Sequence, residues 1–210
     1  MSQYQNKAGK TPAVKVMENL QSALHTRLEA FLDTRQQKAE SLLKLVDVLT
    51  HLRQADDLEI LLDEATLTAI ELAGVSGAAI SVTETHGSDD LTLYRHQNME
   101  PGEPDDLIFD AESPLLTAAR DAGGPLLVAD LVGKTGPRSR KRAVLRRLGC
   151  EMVVPLICRG RILGLLLLDR RTDGLPPTSD DTELLTAYTA LLSMAIENIQ
   201  LHATKSGRAR

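Results

Sequence analysis

From Ala13 to Ala73 the chain contains neither glycine nor proline, and so long a run without a backbone breaker reads as helix almost throughout. Within it Met17, Gln21, Leu24, Leu28, Phe31, Arg35, Lys38, Leu42, Leu45, Leu49 and Leu52 follow in alternating steps of four and three without a slip. That is a heptad seam. A helix packed only on its own domain does not require a strict 3.5-residue repeat, whereas a partner helix does. The apolar members, Met17, Leu24, Leu28, Phe31, Leu42, Leu45, Leu49 and Leu52, are therefore expected to form a homodimer interface; the simpler alternative is one amphipathic helix on its own domain. Gln21 and the Arg35/Lys38 pair weaken the seam in its middle, so a helical hairpin turning near residue 36 stands beside a continuous helix.

Of the 210 residues, 42% are apolar, enough for one sizeable core and a helical extension. The net charge of -5 gives no general attraction to nucleic acid or anionic lipid, so any such binding must come from a local patch. Aromatics are scarce, with no Trp, 2 Phe and 3 Tyr, which argues against stacked single strands and aromatic cages. Nucleic acid is thus not an expected partner. The start, MSQYQNKAGKTP, lacks the apolar segment of a signal peptide or anchor, and ILGLLLL at 162–168 is too short to cross a bilayer. A cytoplasmic protein with no membrane association is expected. Cys150 and Cys158, read on one strand, are too far apart to join and are expected as free thiols.

Asp56 and Asp57 can cap a helix carrying Leu58, Leu61, Leu62, Ala65, Leu67, Ile70 and Leu72, which Gly74 stops in a left-handed conformation. "GAAISVTET" and "LTLYRHQ" read as strands joined through "HGSDD". "SPLLTAARDAGG" reads as a short helix closed by glycines and "PLLVAD" as a short strand. "EMVVPLIC" and "RILGLLLLDR" form a hairpin turning at Arg159 and Gly160. A last helix starts near Thr178, with Asp181 placed for a capping box, and repeats Leu184, Tyr188, Leu191, Ala195 and Ile199 on one face. Leu185, Leu192 and Ile196 widen that face enough to serve both a sheet and a second helix. The order is that of an α+β fold.

"LGCEMVVPLICRGRILGLLLLDRR" followed by "PTSDDTELLTAYTALLSMAIENIQL" resembles the second half of a GAF domain. Val154, Pro155, Leu156, Gly160, Gly164, Thr178, Asp181, Ala195, Ile196, Glu197, Asn198 and Leu201 stand at places matching that family's pattern, and "LLDEATLTAIELAGVSGAAISV" is similar to its leading helix and first strand. Pro177 and Thr182 depart from it, standing where an aromatic residue and a Leu are usual. The resemblance covers about residues 57–203, leaving 1–14 as a tail, 15–56 as a coiled-coil dimerisation segment and 204–210 as a second tail. It implies an antiparallel sheet with the leading and closing helices on one face and a helical crossover over a small-molecule pocket on the other. It also implies dimerisation through parallel helices, so the long N-terminal helix and Leu191, Ala195 and Ile199 of the closing helix are read together as a spine.

The block "TGPRSRKRAVLRRLGC" at 135–150 is the densest positive charge in an acidic chain. Read as a helix, it places Val144, Leu145 and Leu148 on one stripe with arginines along both flanks, as a surface helix does when long basic side chains border a buried edge. Three uses remain open: solvated flanks, an anion site over the pocket, or a nucleic-acid patch. If the block serves the pocket, Arg138, Arg140, Lys141 and Arg142 are the first ligand candidates, Asp130 is an acceptor, and Arg95 and His96 on the second strand face the cavity.

Enzymatic signals are weak. "VGKTG" at 132–136 lacks the earlier glycine of a phosphate loop, since Val128 stands there, and Pro137 follows it. The five His show no metal-ligand spacing, and neither a nucleophile elbow nor a Cys-x-x-Cys is present. Some GAF relatives reduce methionine sulfoxide with a cysteine set around the pocket, but Cys150 and Cys158 stand elsewhere; the cysteine–histidine pair of bilin-binding relatives is also missing. The sequence therefore predicts a sensory or regulatory protein without catalytic activity, metal or cofactor. Its effector is expected to be a small anion, cyclic-nucleotide-like or an organic acid, with output through a signalling partner protein. The alternative is a ligand-free dimerisation and interaction module.

Overall fold

Asp57 starts the first helix. The computed structural model describes residues 57–83, 90–100, 109–110, 112–131 and 140–208; the seam from Met17 to Leu52 and the segment containing Arg138 lie outside them. The Asp57 carboxylate accepts from the Glu59 N–H at 2.7 Å, opening helix α1 (Leu58–Ala73), and Gly74 closes it at φ 62°. Strand β1 (Ala78–Thr83) follows, buried along its whole length, and pairs antiparallel with β2 (Leu91–Gln97).

Ser113 caps helix α2 (Pro114–Ala122), which Gly123 ends at φ 64°. The short strand expected at "PLLVAD" contracts to β3 (Leu126–Leu127). It stops there because Asp130 N–H donates to Leu127 O and Leu131 N–H to Val128 O, folding the chain into turns. Helix α3 (Arg140–Arg147) leads into β4 (Met152–Cys158) and β5 (Arg161–Leu168). Arg159 and Gly160 both take positive φ, 50° and 76°, as a two-residue hairpin with the native twist requires.

The closing helix α4 runs from Ser179 to Arg208, past the boundary expected at residue 203. Its start is the capping box read from the sequence: Thr178 N–H donates to the Asp181 carboxylate at 2.7 Å, and Asp181 N–H returns to Thr178 Oγ1 at 3.2 Å.

The five strands pair in the order β2-β1-β5-β4-β3, antiparallel throughout. Between β2 at one edge of the sheet and β3 and β4 at the other, the described crossover helices α2 and α3 lie over one face. At Gly164 of β5 a Cβ would sit 2.5 Å from the Ser81 carbonyl oxygen and 2.9 Å from Leu156 Cδ1, so only glycine allows the three central strands to pack this closely.

Alternation along the strands builds two apolar clusters. Ala78, Ile80, Val82, Val154, Leu156, Leu166 and Leu168 face α1 and α4, meeting Leu61, Leu62, Leu185, Tyr188, Leu192 and Ile196. Ala79, Val153, Leu165 and Leu167 face the crossover, meeting Phe109, Leu115, Leu116, Val144, Leu145 and Leu148. Complete burial of such side chains contributes about 1.5–3 kcal/mol each. Among the described residues no helix is long and apolar enough to cross a membrane.

Candidate functional site

The crossover face is where the sheet, α2 and α3 come together. Its described buried lining is mostly apolar, and Ser81 is a buried polar residue within it. Ser81 lies between Ile80 and Val82, which point to the helix layer, so its side chain shares the crossover face with Ala79. The residue is 0% exposed, and its hydroxyl has no hydrogen-bond partner. A buried hydroxyl left unsatisfied costs about 1–3 kcal/mol, and Ser81 is the described side chain of this face that carries that cost. A lone hydroxyl residue in the otherwise apolar "AAISV" is the signal that could have marked it.

Helix α3 arranges as its stripe predicts. Val144, Leu145 and Leu148 are buried against the crossover cluster, while Arg146 and Arg147 are exposed on the flanks. Arg140, Lys141 and Arg142 belong to the helix's first turns, but their side chains lie outside the described residues, as does the whole of Arg138.

Arg95 goes elsewhere than expected. It pairs with Glu59 at 2.8 Å and with Asp63 at 2.7 Å, both on α1. It therefore braces β2 against the helix layer and turns away from the crossover face. The β-bulge between Ile80 and Ser81 sets this register, in which Arg95 opposes Ile80 and His96 opposes Ala79. His96 is on the crossover side but exposed, and Asp130 is exposed in the turn after β3. The ligand set read from the sequence is thus not gathered at one point by the described residues.

Leu191, Ala195 and Ile199 are half-buried and pack against the helix-layer core. The fully covered face of α4 is instead Leu185, Tyr188, Leu192 and Ile196. The Tyr188 hydroxyl donates to Ala65 O at 2.7 Å, tying α4 to α1.

Both cysteines are free and buried. Burial pushes the Cys150 thiol up to about 12. Burial, followed by the Glu197 carboxylate that accepts its S–H at 3.0 Å, also raises Cys158. Thiols held protonated are poor nucleophiles. Among the described residues no group of His, Cys, Asp and Glu could hold a metal ion.

The model of the GAF domain matches residues 57–196. The chain belongs to the GAF domain family. Solved structures share the fold at low identity. The GAF domain of a phosphoenolpyruvate-protein phosphotransferase from Coxiella burnetii is 15% identical, with a TM-score of 0.61, covering 80% of this chain and 98% of that one. Residues 122 to 287 of a methyl-accepting chemotaxis protein are 15% identical, with a TM-score of 0.57 and coverage of 73% and 97%. A free methionine-R-sulfoxide reductase from Neisseria meningitidis, solved with its substrate, is 19% identical, with a TM-score of 0.57 and coverage of 80% and 93%. Curated protein sequences give no match. Chains that share this fold thus include part of a methyl-accepting chemotaxis protein and a free methionine-R-sulfoxide reductase.

Proposed function

We propose that this GAF protein is a sensory module that binds a small anionic effector on the crossover face and passes the change through a helical spine to a partner protein. The observation that carries the ligand reading is Ser81, a fully buried hydroxyl without a partner on that face. The basic start of α3 supports an anion, since arginine donors suit phosphate and carboxylate oxygens. The family supports a regulatory role, because relatives of this fold include a domain of a chemotaxis protein. The spine would be a homodimer, formed by the seam from Met17 to Leu52 together with the outer edge of α4. Coupling requires an effector with different affinity for two arrangements of that spine. No catalytic role is proposed, and the two protonated interior thiols support that reading.

A thermal-shift screen against cyclic mononucleotides, cyclic dinucleotides, amino acids and organic acids tests this proposal with three proteins: the natural chain, Ser81→Ala, and Arg138→Glu/Arg142→Glu. An effector at about a hundredfold excess over its Kd adds about 2.7 kcal/mol, several degrees at this size. Ser81→Ala is expected to leave the unliganded protein as stable or more stable, because it removes an unsatisfied buried group, while reducing the ligand shift. Silence across the panel would favour a ligand-free interaction module. A shift equal in all three proteins would place the effector elsewhere.

A further inference from the structure

A cavity lies at the β3 end of the sheet, where the last turn of α3 meets the connector between β5 and α4. We propose that it binds a small amphipathic carboxylate, independently of the effector reading above. Its volume is about 610 Å³, within the range of pockets that hold cofactor-sized and drug-sized ligands. One wall is the end of β3 and the turn after it, at Leu127 and Val128; the other is the connector between β5 and α4, at Leu175 and Pro176; Met152 also lines it. Leu127 and Leu175 are 37% and 64% exposed, so two large apolar side chains stand in water at this cleft, ready to cover an apolar body.

The connector wall is pinned before any ligand arrives. Thr172 N–H and Oγ1 both donate to Gly74 O, at 2.9 and 3.0 Å. Ser76 Oγ donates to the Asp169 carboxylate at 2.6 Å. Arg171 forks to Asp173 at 2.7 Å and to Asp181 at 2.8 Å. A wall held this way loses little freedom on binding.

Charge selects the head group. Arg170 pairs with Glu151 at 3.0 Å, Arg171 is held by two carboxylates, and Asp169 accepts from Ser76 and from the Arg170 N–H. Arg146, from the last turn of α3, also lines the cleft, and its exposed guanidinium has no hydrogen bond or ion pair among the described residues. A cation in the last turn of a helix complements the dipole, but that role needs no place in a cleft wall, and Arg147 already fills it. An anion entering here meets one uncompensated guanidinium and no unengaged carboxylate. The planar fork of arginine matches a carboxylate with two parallel bonds.

The probes are phenylacetate and its neutral isostere phenylacetamide, titrated into the ¹⁵N-labelled full chain and followed by amide shifts. Phenylacetate is expected to move residues 127–129, 150–152 and 170–175 and to leave 79–82 in place. It should bind about tenfold more tightly than the amide, as a charge-assisted hydrogen bond implies. Arg146→Gln should bring the acid down to the amide's level, while Arg147→Gln should not. The proposal is overturned by no shifts at these residues, by equal affinity for acid and amide, or by an acid preference that survives Arg146→Gln. Shifts confined to 79–82 and abolished by Ser81→Ala would move the binding to the crossover face and overturn it as well.

Discussion

Tyr188 shows how a single side chain joins two elements. It is 0% exposed, its ring fills the layer between α1 and α4, and its hydroxyl donates to Ala65 O at 2.7 Å. Burial raises its ionisation well above the usual phenol range, so it stays a donor at any pH the fold survives. Tyr188→Phe keeps the ring and removes one buried bond, which should cost about 1 kcal/mol. At this chain size that is a fall of about 2–4 °C in Tm, readable by calorimetry. A loss no larger than that of an exposed substitution would show that the bond contributes nothing. At the same scale the sequence was a mixed guide. Both cysteines are the free interior thiols that their spacing implied, whereas Arg95 could not be placed, because a bulge between Ile80 and Ser81 decides its partner and no local residue pattern announces that bulge.

At the scale of elements, the connector between β5 and α4 depends on one arginine and two aspartates. Arg171 holds Asp173 and Asp181, and Asp181 in turn caps α4. The Arg171 guanidinium, helped by the Leu175 N–H, lowers Asp173 from 3.8 to about 2. A carboxylate whose folded value lies below its unfolded one stabilises the fold while ionised. That contribution is complete above about pH 4 and disappears as the pH falls through about 2. Urea midpoints of the natural protein and Asp173→Asn should therefore differ near pH 5 and converge towards pH 2. A difference independent of pH would mean that shape rather than charge sets it. The capping box and the tight turn were legible in the sequence because each is written within four residues. The shortness of β3 was not, since the turns that end it, Asp130 N–H to Leu127 O and Leu131 N–H to Val128 O, fall within the apolar run itself, where no Gly or Pro announces them.

For the molecule as a whole, the order of helices and strands was readable from periodicity and glycine placement, and the sheet with its two helical faces was what the resemblance to the GAF family implied. The site was not readable, because it draws on α3, β1 and the crossover, which only the fold brings together. The leading helix also settles what the domain needs from the chain before it. Asp57 supplies its own cap, and Leu61 and Leu62, one turn in, are 0% exposed within the domain's own core. The Asp57 side chain thus satisfies one of that helix end's free N–H groups from within the domain. If the seam from Met17 to Leu52 is the dimer contact proposed here, deleting residues 1–56 should separate assembly from folding. The shortened chain should unfold in one cooperative transition and sediment as a monomer, while the full chain sediments as a dimer. A shortened chain that still dimerises would assign the interface to the outer edge of α4, where Leu191, Ala195 and Ile199 are half-covered. A full chain that sediments as a monomer would remove the spine, and with it the coupling on which signal transfer to a partner depends.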